Sequence, residues 1–320
     1  MDLEPEQLQD LTFTEILRES VSIPKSSTNT FSLITLTLIF PLSFAILAHS
    51  LFTHPLLKQI ESQSPSNPKI PQEWTRLLIF QFFYLIFLFA FSLLSTAAVV
   101  FTVASIYTSK AVSFAFTISA IPRVFKRLFI TFLWVSLLMV VYNIAFIFSL
   151  VALIIAVDTN NLLLFLFSVI VIFTLFLVVH VYITALWHLA SVVSVLEPIY
   201  GVAAMRKSKD LLKGKTQMAA VFVFGYLSIC GVIAGVFGSL VVHGGEDYGV
   251  FVRIVVGGFL VCVLVIVNLI GLLVQSVFYY VCKSYHHQGI DKSALYDHLG
   301  GYLGEYVPLK SSIQMESMEI

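Results

Sequence analysis

Charge is what this chain has least of. Asp, Glu, Lys and Arg make up 11% of its 320 residues, against 58% hydrophobic residues. A soluble domain of this length needs roughly 25% charge to cover its surface, so a water-soluble globular fold is excluded. Net charge is zero, which removes the basic field that direct nucleic-acid binding requires and the acidic field that would draw basic partners. The three cysteines, Cys230, Cys262 and Cys282, lie inside apolar runs or at the end of one, so no disulfide framework is expected. No Asn-x-Ser/Thr sequon occurs. The first 20 residues hold six acids and no basic region ahead of an apolar run. A cleavable signal peptide is therefore not expected, and the first apolar span serves as its own insertion signal.

Catalytic signatures are missing as well. There is no Asp-rich pair for a diphosphate, no Gly-x-Ser-x-Gly, no Cys-x-x-Cys and no His-Glu-x-x-His. Gly214-Lys215-Thr216 ends like a phosphate loop, but Lys209 stands where the upstream glycine belongs. Glu246-Asp247 reads as a solvated turn, because a hard cation wants six or more oxygens. The expectation is a protein that is not an enzyme, with no cofactor and no metal.

What is present is apolar length. About 20 apolar residues cross a bilayer core as a helix that satisfies its own backbone. Six spans follow from that rule, at 31–52, 77–107, 128–157, 162–196, 218–242 and 252–281. The fold class is all-α, a polytopic membrane bundle of six transmembrane helices. Spans two, four and six are long, and must tilt or project beyond the core.

A pattern recurs three times: a short amphipathic stretch, a span, then a second span. Ile23-Pro24-Lys25 precedes the first unit, Ile121-Pro122-Arg123 the second, and a basic stretch at 199–215 the third. A three-fold pseudo-repeat with interfacial amphipathic helices is expected. In the first stretch Thr12-x-x-Glu15 is a capping box, and Phe13, Ile16, Leu17 and Val21 share a face. The second, 112–125, carries Phe114, Phe116, Ile118, Ile121 and Val124. The third carries Val202, Ala203, Met205, Leu211 and Leu212.

Of the 18 Lys and Arg, four (Lys58, Lys69, Arg76 and Arg253) fall on one side of these spans, leaving 14 on the other. The positive-inside rule then puts both termini in the cytosol. The loop at 54–76 reads as irregular from its Pro/Ser-rich centre. The chain divides into a cytosolic segment at 1–30, a membrane domain at 31–282 and a largely disordered cytosolic tail at 283–320.

Four sets of candidate residues emerge. Asn143, His180, Thr184, Asn268 and Gln275 are polar positions inside spans three, four and six. Polar groups in lipid turn inward, so these form either a groove for a ligand or the hydrogen bonds that glue helices together. Thr184 lies between His180 and His188 on one helical face. No acid, Lys or Arg accompanies them in the span interiors, which disfavours ion-coupled transport. Gly231, Gly235 and Ser239 form a small-xxx-small series, expected to pack internally against span six, with a homo-oligomer face as the alternative. Tyr296 with Leu299, and Tyr306 with Leu309, fit the Tyr-x-x-apolar sorting pattern. Cys282, at the end of span six, is a lipidation candidate, against the reading of a small packing residue.

Ile16-Leu17-Arg18-Glu19-Ser20, Ile23-Pro24-Lys25, the stretch 36–41 and the tail run 300–309 resemble an uncharacterised plant family of polytopic membrane proteins. Glu197-Pro198 through Ala203, with Lys207-Ser208, Leu211-Leu212 and Lys213-Gly214, is more loosely similar to the membrane domain attached to some bacterial glycerophosphodiester phosphodiesterases. That domain holds no phosphodiesterase chemistry, so the resemblance implies no catalytic residue. The functional expectation is a non-enzymatic protein of an endomembrane, such as the endoplasmic reticulum, or of the plasma membrane. It organises lipids, or a cytosolic protein partner bound through 199–215 or the tail. The alternative is a carrier or lipid-handling protein for a neutral or amphiphilic small molecule.

Overall fold

The structure is a computed structural model that describes residues 11–62, 70–108, 113–156, 161–244 and 248–288. The sorting candidates Tyr296, Leu299, Tyr306 and Leu309 lie outside the described residues, as do Glu246 and Asp247. Among the described residues there are nine α-helices and no strand. They are α1 (Phe13–Ser26), α2 (Thr28–Ile34), α3 (Phe40–Ser62), α4 (Ile70–Tyr107), α5 (Phe114–Ala156), α6 (Leu162–Leu196), α7 (Val202–Leu212), α8 (Thr216–Phe237) and α9 (Val250–Tyr285). Six segments are long and apolar enough to cross a membrane.

Local chemistry sets the boundaries. The Thr12 N–H donates to Glu15 Oε2 at 2.8 Å, one half of the expected capping box, and the Thr12 hydroxyl donates to the same oxygen at 2.7 Å. Asn161 caps α6 by accepting from the Leu164 N–H at 3.3 Å. A π-helical turn, Thr35–Ile39, joins α2 to α3 directly before Pro41. Proline has no N–H, and its ring crowds the carbonyl four residues back. A widened turn absorbs both effects without ending the helix. A second π-helical turn, Gly238–Val242, ends the α8 segment, and the Arg253 guanidinium donates to its Val241 carbonyl at 2.8 Å through Nε.

Helix extends into two expected breaks. The stretch 112–125 is not a separate interfacial element. Residues 114–125 are the first turns of α5, a single helix of 43 residues with Pro122 inside it. Its buried stripe, Thr117, Ala120, Ile121, Val124 and Leu128, runs unbroken through the proline, while Ile118 is exposed. Likewise the loop expected at 54–76 shrinks, because α3 continues through Pro55 to Ser62 and α4 starts at Ile70. Pro24, Pro55 and Pro122 each cost one backbone bond. Buried Ile23 stands beside the first and buried Ile121 and Val124 beside the third, whereas the residues around Pro55 are exposed or half-buried. Span four runs over the expected residues, Leu162–Leu196.

The bundle is packed at one end and open at the other. Leu93 to Ala104 of α4, the second half of α6 and the last turns of α9 supply about half of the buried residues. The first half of α6 shows its side chains outward, with Leu163 82% and Phe167 66% exposed. Lipid solvates such surfaces, so they need no protein cover.

The closed end is built by the two short helices. α1 lies along α9 and buries Ile16, Ser20 and Ile23, a helical stripe, while Val21 faces out. α7 buries Ala204, Ser208, Leu211 and Leu212 rather than Val202 and Ala203, and the Ser208 hydroxyl donates to the Leu186 carbonyl at 2.9 Å. Gly201 and Gly214 flank α7 with positive φ, +62° and +85°. The Gly201 N–H donates to Thr131 Oγ1 at 2.7 Å, and Thr131 is also 2.7 Å from Ser194 Oγ.

The Gly231–Gly235–Ser239 series does not pack internally. A Cβ on Gly231 or Gly235 would meet nothing within 4 Å, and Ser239 is exposed. Helices α8 and α9 meet with the roles reversed. The glycines are on α9, with Gly257 under Phe237 and Val241, and Gly271 under Tyr226. Close approach needs a small residue on only one partner where the other supplies the bulk.

Candidate functional site

A cavity of about 490 Å³ lies among these helices at the junction of the closed and open ends. Its walls come from α1 (Phe13, Leu17), α4 (Ser92, Ser95, Thr96), α5 (Phe132, Met139), α6, α8 and α9, with Leu42 of α3. The α1 contribution follows from its amphipathic register. Ile16 and Ile23 anchor it, and Phe13 then stacks on Phe222 at 4.5 Å, with Phe278 5.9 Å from Phe222. Two α8 residues of the wall, Val221 and Ile229, are also 54% and 50% exposed at the bundle surface. The cavity thus borders the lipid-facing side along α8.

The lining is mostly apolar, with an uncharged polar centre. His180, Thr184, His188, Asn268 and Gln275 all line it, and among the described residues of the wall there is no Asp, Glu, Lys or Arg. Of the five groove candidates, four are therefore brought together. Asn143 is not. It is exposed on α5 and bonds its own helix, Nδ2 donating to the Met139 carbonyl at 2.7 Å. Its neighbour Tyr142 makes the cross-helix bond instead, donating to the Phe176 carbonyl at 2.7 Å.

Two hydrogen-bonded chains organise the polar centre. His188 Nδ1 lies 2.7 Å from Gln275 Oε1, linking α6 to α9. Asn268 links three helices: its Oδ1 accepts from the Tyr226 hydroxyl at 2.7 Å and its Nδ2 donates to Ser43 Oγ at 2.8 Å. Tyr226 and Ser43 were not expected from the sequence, since an isolated Tyr or Ser inside an apolar span carries no positional signal. Two polar atoms remain unsatisfied although buried: Thr184 Oγ1 and Gln275 Nε2.

Outside the cavity wall the ionisable groups have separate tasks. Glu19 of α1 is part-buried, and that burial pushes its carboxyl above the ordinary carboxylate range. The thiol of Cys282 is fully buried, at 0% exposure, which overturns its reading as a lipidation site. The tail also begins later than expected, because α9 continues to Tyr285. On α7, Lys213 Nζ sits 2.7 Å from Asp210 and holds that exposed carboxyl below its ordinary range. Glu197, at the end of α6, accepts from the Tyr279 hydroxyl at 2.5 Å and pairs with Lys283 at 3.3 Å, while its carbonyl accepts from Arg127 at 3.2 Å. Among the described residues no group of three His, Cys, Asp or Glu side chains could hold a metal.

The arrangement can hold an apolar body and offer its polar end neutral hydrogen bonds. A protein-family model described as a domain of unknown function (DUF8558) matches residues 1–318. No curated protein and no solved structure matches the chain.

Proposed function

The chain belongs to the DUF8558 family, and we propose that it is a non-enzymatic multi-pass membrane protein that holds a neutral amphiphile, a membrane lipid, in its intramembrane cavity. One observation carries this reading. A volume of about 490 Å³, largely apolar and open toward the lipid-facing side, contains an uncharged polar centre. Ligand pockets run from about 300 to 1,000 Å³ and combine apolar walls with a few placed polar groups. The resemblance to a plant polytopic family, and more loosely to the membrane domain of bacterial glycerophosphodiester phosphodiesterases, fits a lipid-facing role. The charge bias supports a cytosolic α1 and α7 side, at an endomembrane or the plasma membrane.

The test uses Gly225, which lines the cavity and whose Cβ position has no atom within 4 Å. Wild-type protein and Gly225→Phe are extracted with their native lipid patch, and bound small molecules are scored by mass spectrometry. The wild type should carry one lipid enriched over bulk, and the filled variant should lose it. A wild-type complement identical to bulk lipid removes the reading.

A second reading keeps the protein as an organiser of a cytosolic partner. It is favoured by the outer face of α7, where Arg206, Lys209 and Lys213 are exposed. Reversing Arg206 and Lys209 to Glu should then release a stoichiometric partner while leaving bound lipid unchanged. A partner retained by that variant would sink it.

A further inference from the structure

The cavity's unsatisfied atoms specify the polar end of its occupant, an inference that rests on the lipid-binding reading above. Most buried hydroxyls in this bundle back-bond to a carbonyl of their own helix: Ser20 to Ile16, Thr102 to Ala98, Ser105 to Phe101, Ser194 to Ala190, Ser276 to Leu272. Thr184 departs from this pattern; Tyr107 and Tyr280 also carry orphaned hydroxyls, but outside the cavity wall. Thr184 is 4% exposed and faces the cavity, yet its Oγ1 has no partner at all. One helical turn on, His188 takes the oxygen of the Gln275 amide, leaving the Nε2 donor of that amide buried and unpaired. Gln275 is 7% exposed. An orphaned buried polar group costs the full desolvation penalty of its lost bonds, so two on one cavity wall mark where the polar end of an occupant would be held.

The two orphans are complementary. The amide nitrogen only donates, and the threonine hydroxyl both donates and accepts. A ligand hydroxyl accepts from the first and donates to the second. A phosphate does not fit. No Lys or Arg lines the cavity, and an unpaired anion in a low-dielectric site is strongly disfavoured. We propose that the cavity selects a neutral lipid whose polar end is a hydroxyl, of the sterol or diacylglycerol type, read by Thr184 and Gln275, and excludes phospholipids.

The experiment reconstitutes the full chain in phosphatidylcholine nanodiscs doped with equal mole fractions of a sterol, a diacylglycerol, phosphatidylserine and phosphatidic acid. Retained lipid is scored by native mass spectrometry for wild type, Thr184→Val, Thr184→Ser and Gly225→Phe. Valine keeps the shape and removes the hydroxyl, and serine keeps the hydroxyl. A hydroxyl lipid should be retained by wild type and by Thr184→Ser, and fall about tenfold in Thr184→Val, the size of one hydrogen bond in a dry site. Which of the two doped hydroxyl lipids is held then names the source. Equal retention by Thr184→Val and wild type overturns the assignment while leaving the lipid reading intact. So does selective retention of either anionic lipid. No lipid retained above phosphatidylcholine by wild type, with no change in Gly225→Phe, removes the underlying reading itself.

Discussion

The Tyr279 hydroxyl donates to Glu197 Oε1 at 2.5 Å, fastening the last turns of α9 to the residue that terminates α6. Lys283, one turn beyond Tyr279, reaches the same carboxylate oxygen at 3.3 Å. The pair explains why Glu197-Pro198 stands at this point. A carboxylate at the helix end ties two spans, and proline starts the turn that leads to α7. Tyr279→Phe should lower stability by about 1.5–3 kcal/mol, the range for a hydrogen bond to a charged group. Thermal unfolding in detergent would show it, and an unchanged midpoint would mean the bond contributes nothing net.

The glycines divide cleanly. Gly214→Ala should destabilise, because φ is +85° and the new Cβ would lie 2.6 Å from the Tyr285 ring. Strain at such a position costs on the order of 1–3 kcal/mol before the clash is counted. Gly235→Ala should be neutral or stabilising by up to about 1 kcal/mol, since it raises helix propensity into open space. The same unfolding measurement ranks both. If Gly235→Ala disrupts the protein, that outward face is in contact with a second molecule, the homo-oligomer alternative.

The His188–Gln275 bond can be isolated by a double-mutant cycle of His188→Phe and Gln275→Leu. Interhelical polar pairs in membranes average about 0.6 kcal/mol, with a maximum near 1.7. A coupling in that range is expected here. A coupling of zero would show that the two side chains bond elsewhere in the folded protein.

Acidity acts on α1 through Glu19. Its carboxyl is raised above the ordinary value by burial, so the folded protein binds this proton more tightly than the unfolded chain. The contribution of this group therefore grows as pH falls through the raised value, and is lost as pH rises through it. Glu15 and Asp210, both lowered, act in the opposite sense at more acidic pH. Glu19→Gln should remove the first dependence and stabilise α1 docking at neutral pH, measured as hydrogen exchange of residues 13–26 against pH. Identical profiles for the two proteins would refute it.

Much of this architecture is legible in the sequence, and the failures have two causes. Apolar length locates all six spans, because the bilayer imposes it regardless of neighbours. The ends of α6 were readable to the residue, since Asn161 caps one and Glu197-Pro198 stops the other. At Pro122 the sequence suggests a break that tertiary packing bridges, and at Pro55 the helix runs on without such packing. Asn143 and the Gly231 series fail for a different reason. Periodicity gives a helix a face, but not the direction in which the bundle turns it. Asn143 satisfies itself within its own helix, so nothing local marks it as facing out. Tyr226 and Ser43 join the site through Asn268 alone, a convergence that only three-dimensional packing creates.

Two side chains of the cavity wall, Phe13 and Leu17, belong to a helix that crosses nothing. The six spans are committed to the bilayer, whereas α1 is held by a stripe of three buried residues and a ring stack. On the lipid-binding proposal, that part of the wall would open without moving a span. How long a bound lipid stays would then follow the release of α1, while how tightly it binds would follow its contacts with the spans. Truncating Phe13 to Ala should shorten residence time more than it weakens affinity, so that kinetics and equilibrium are tuned from separate parts of the chain.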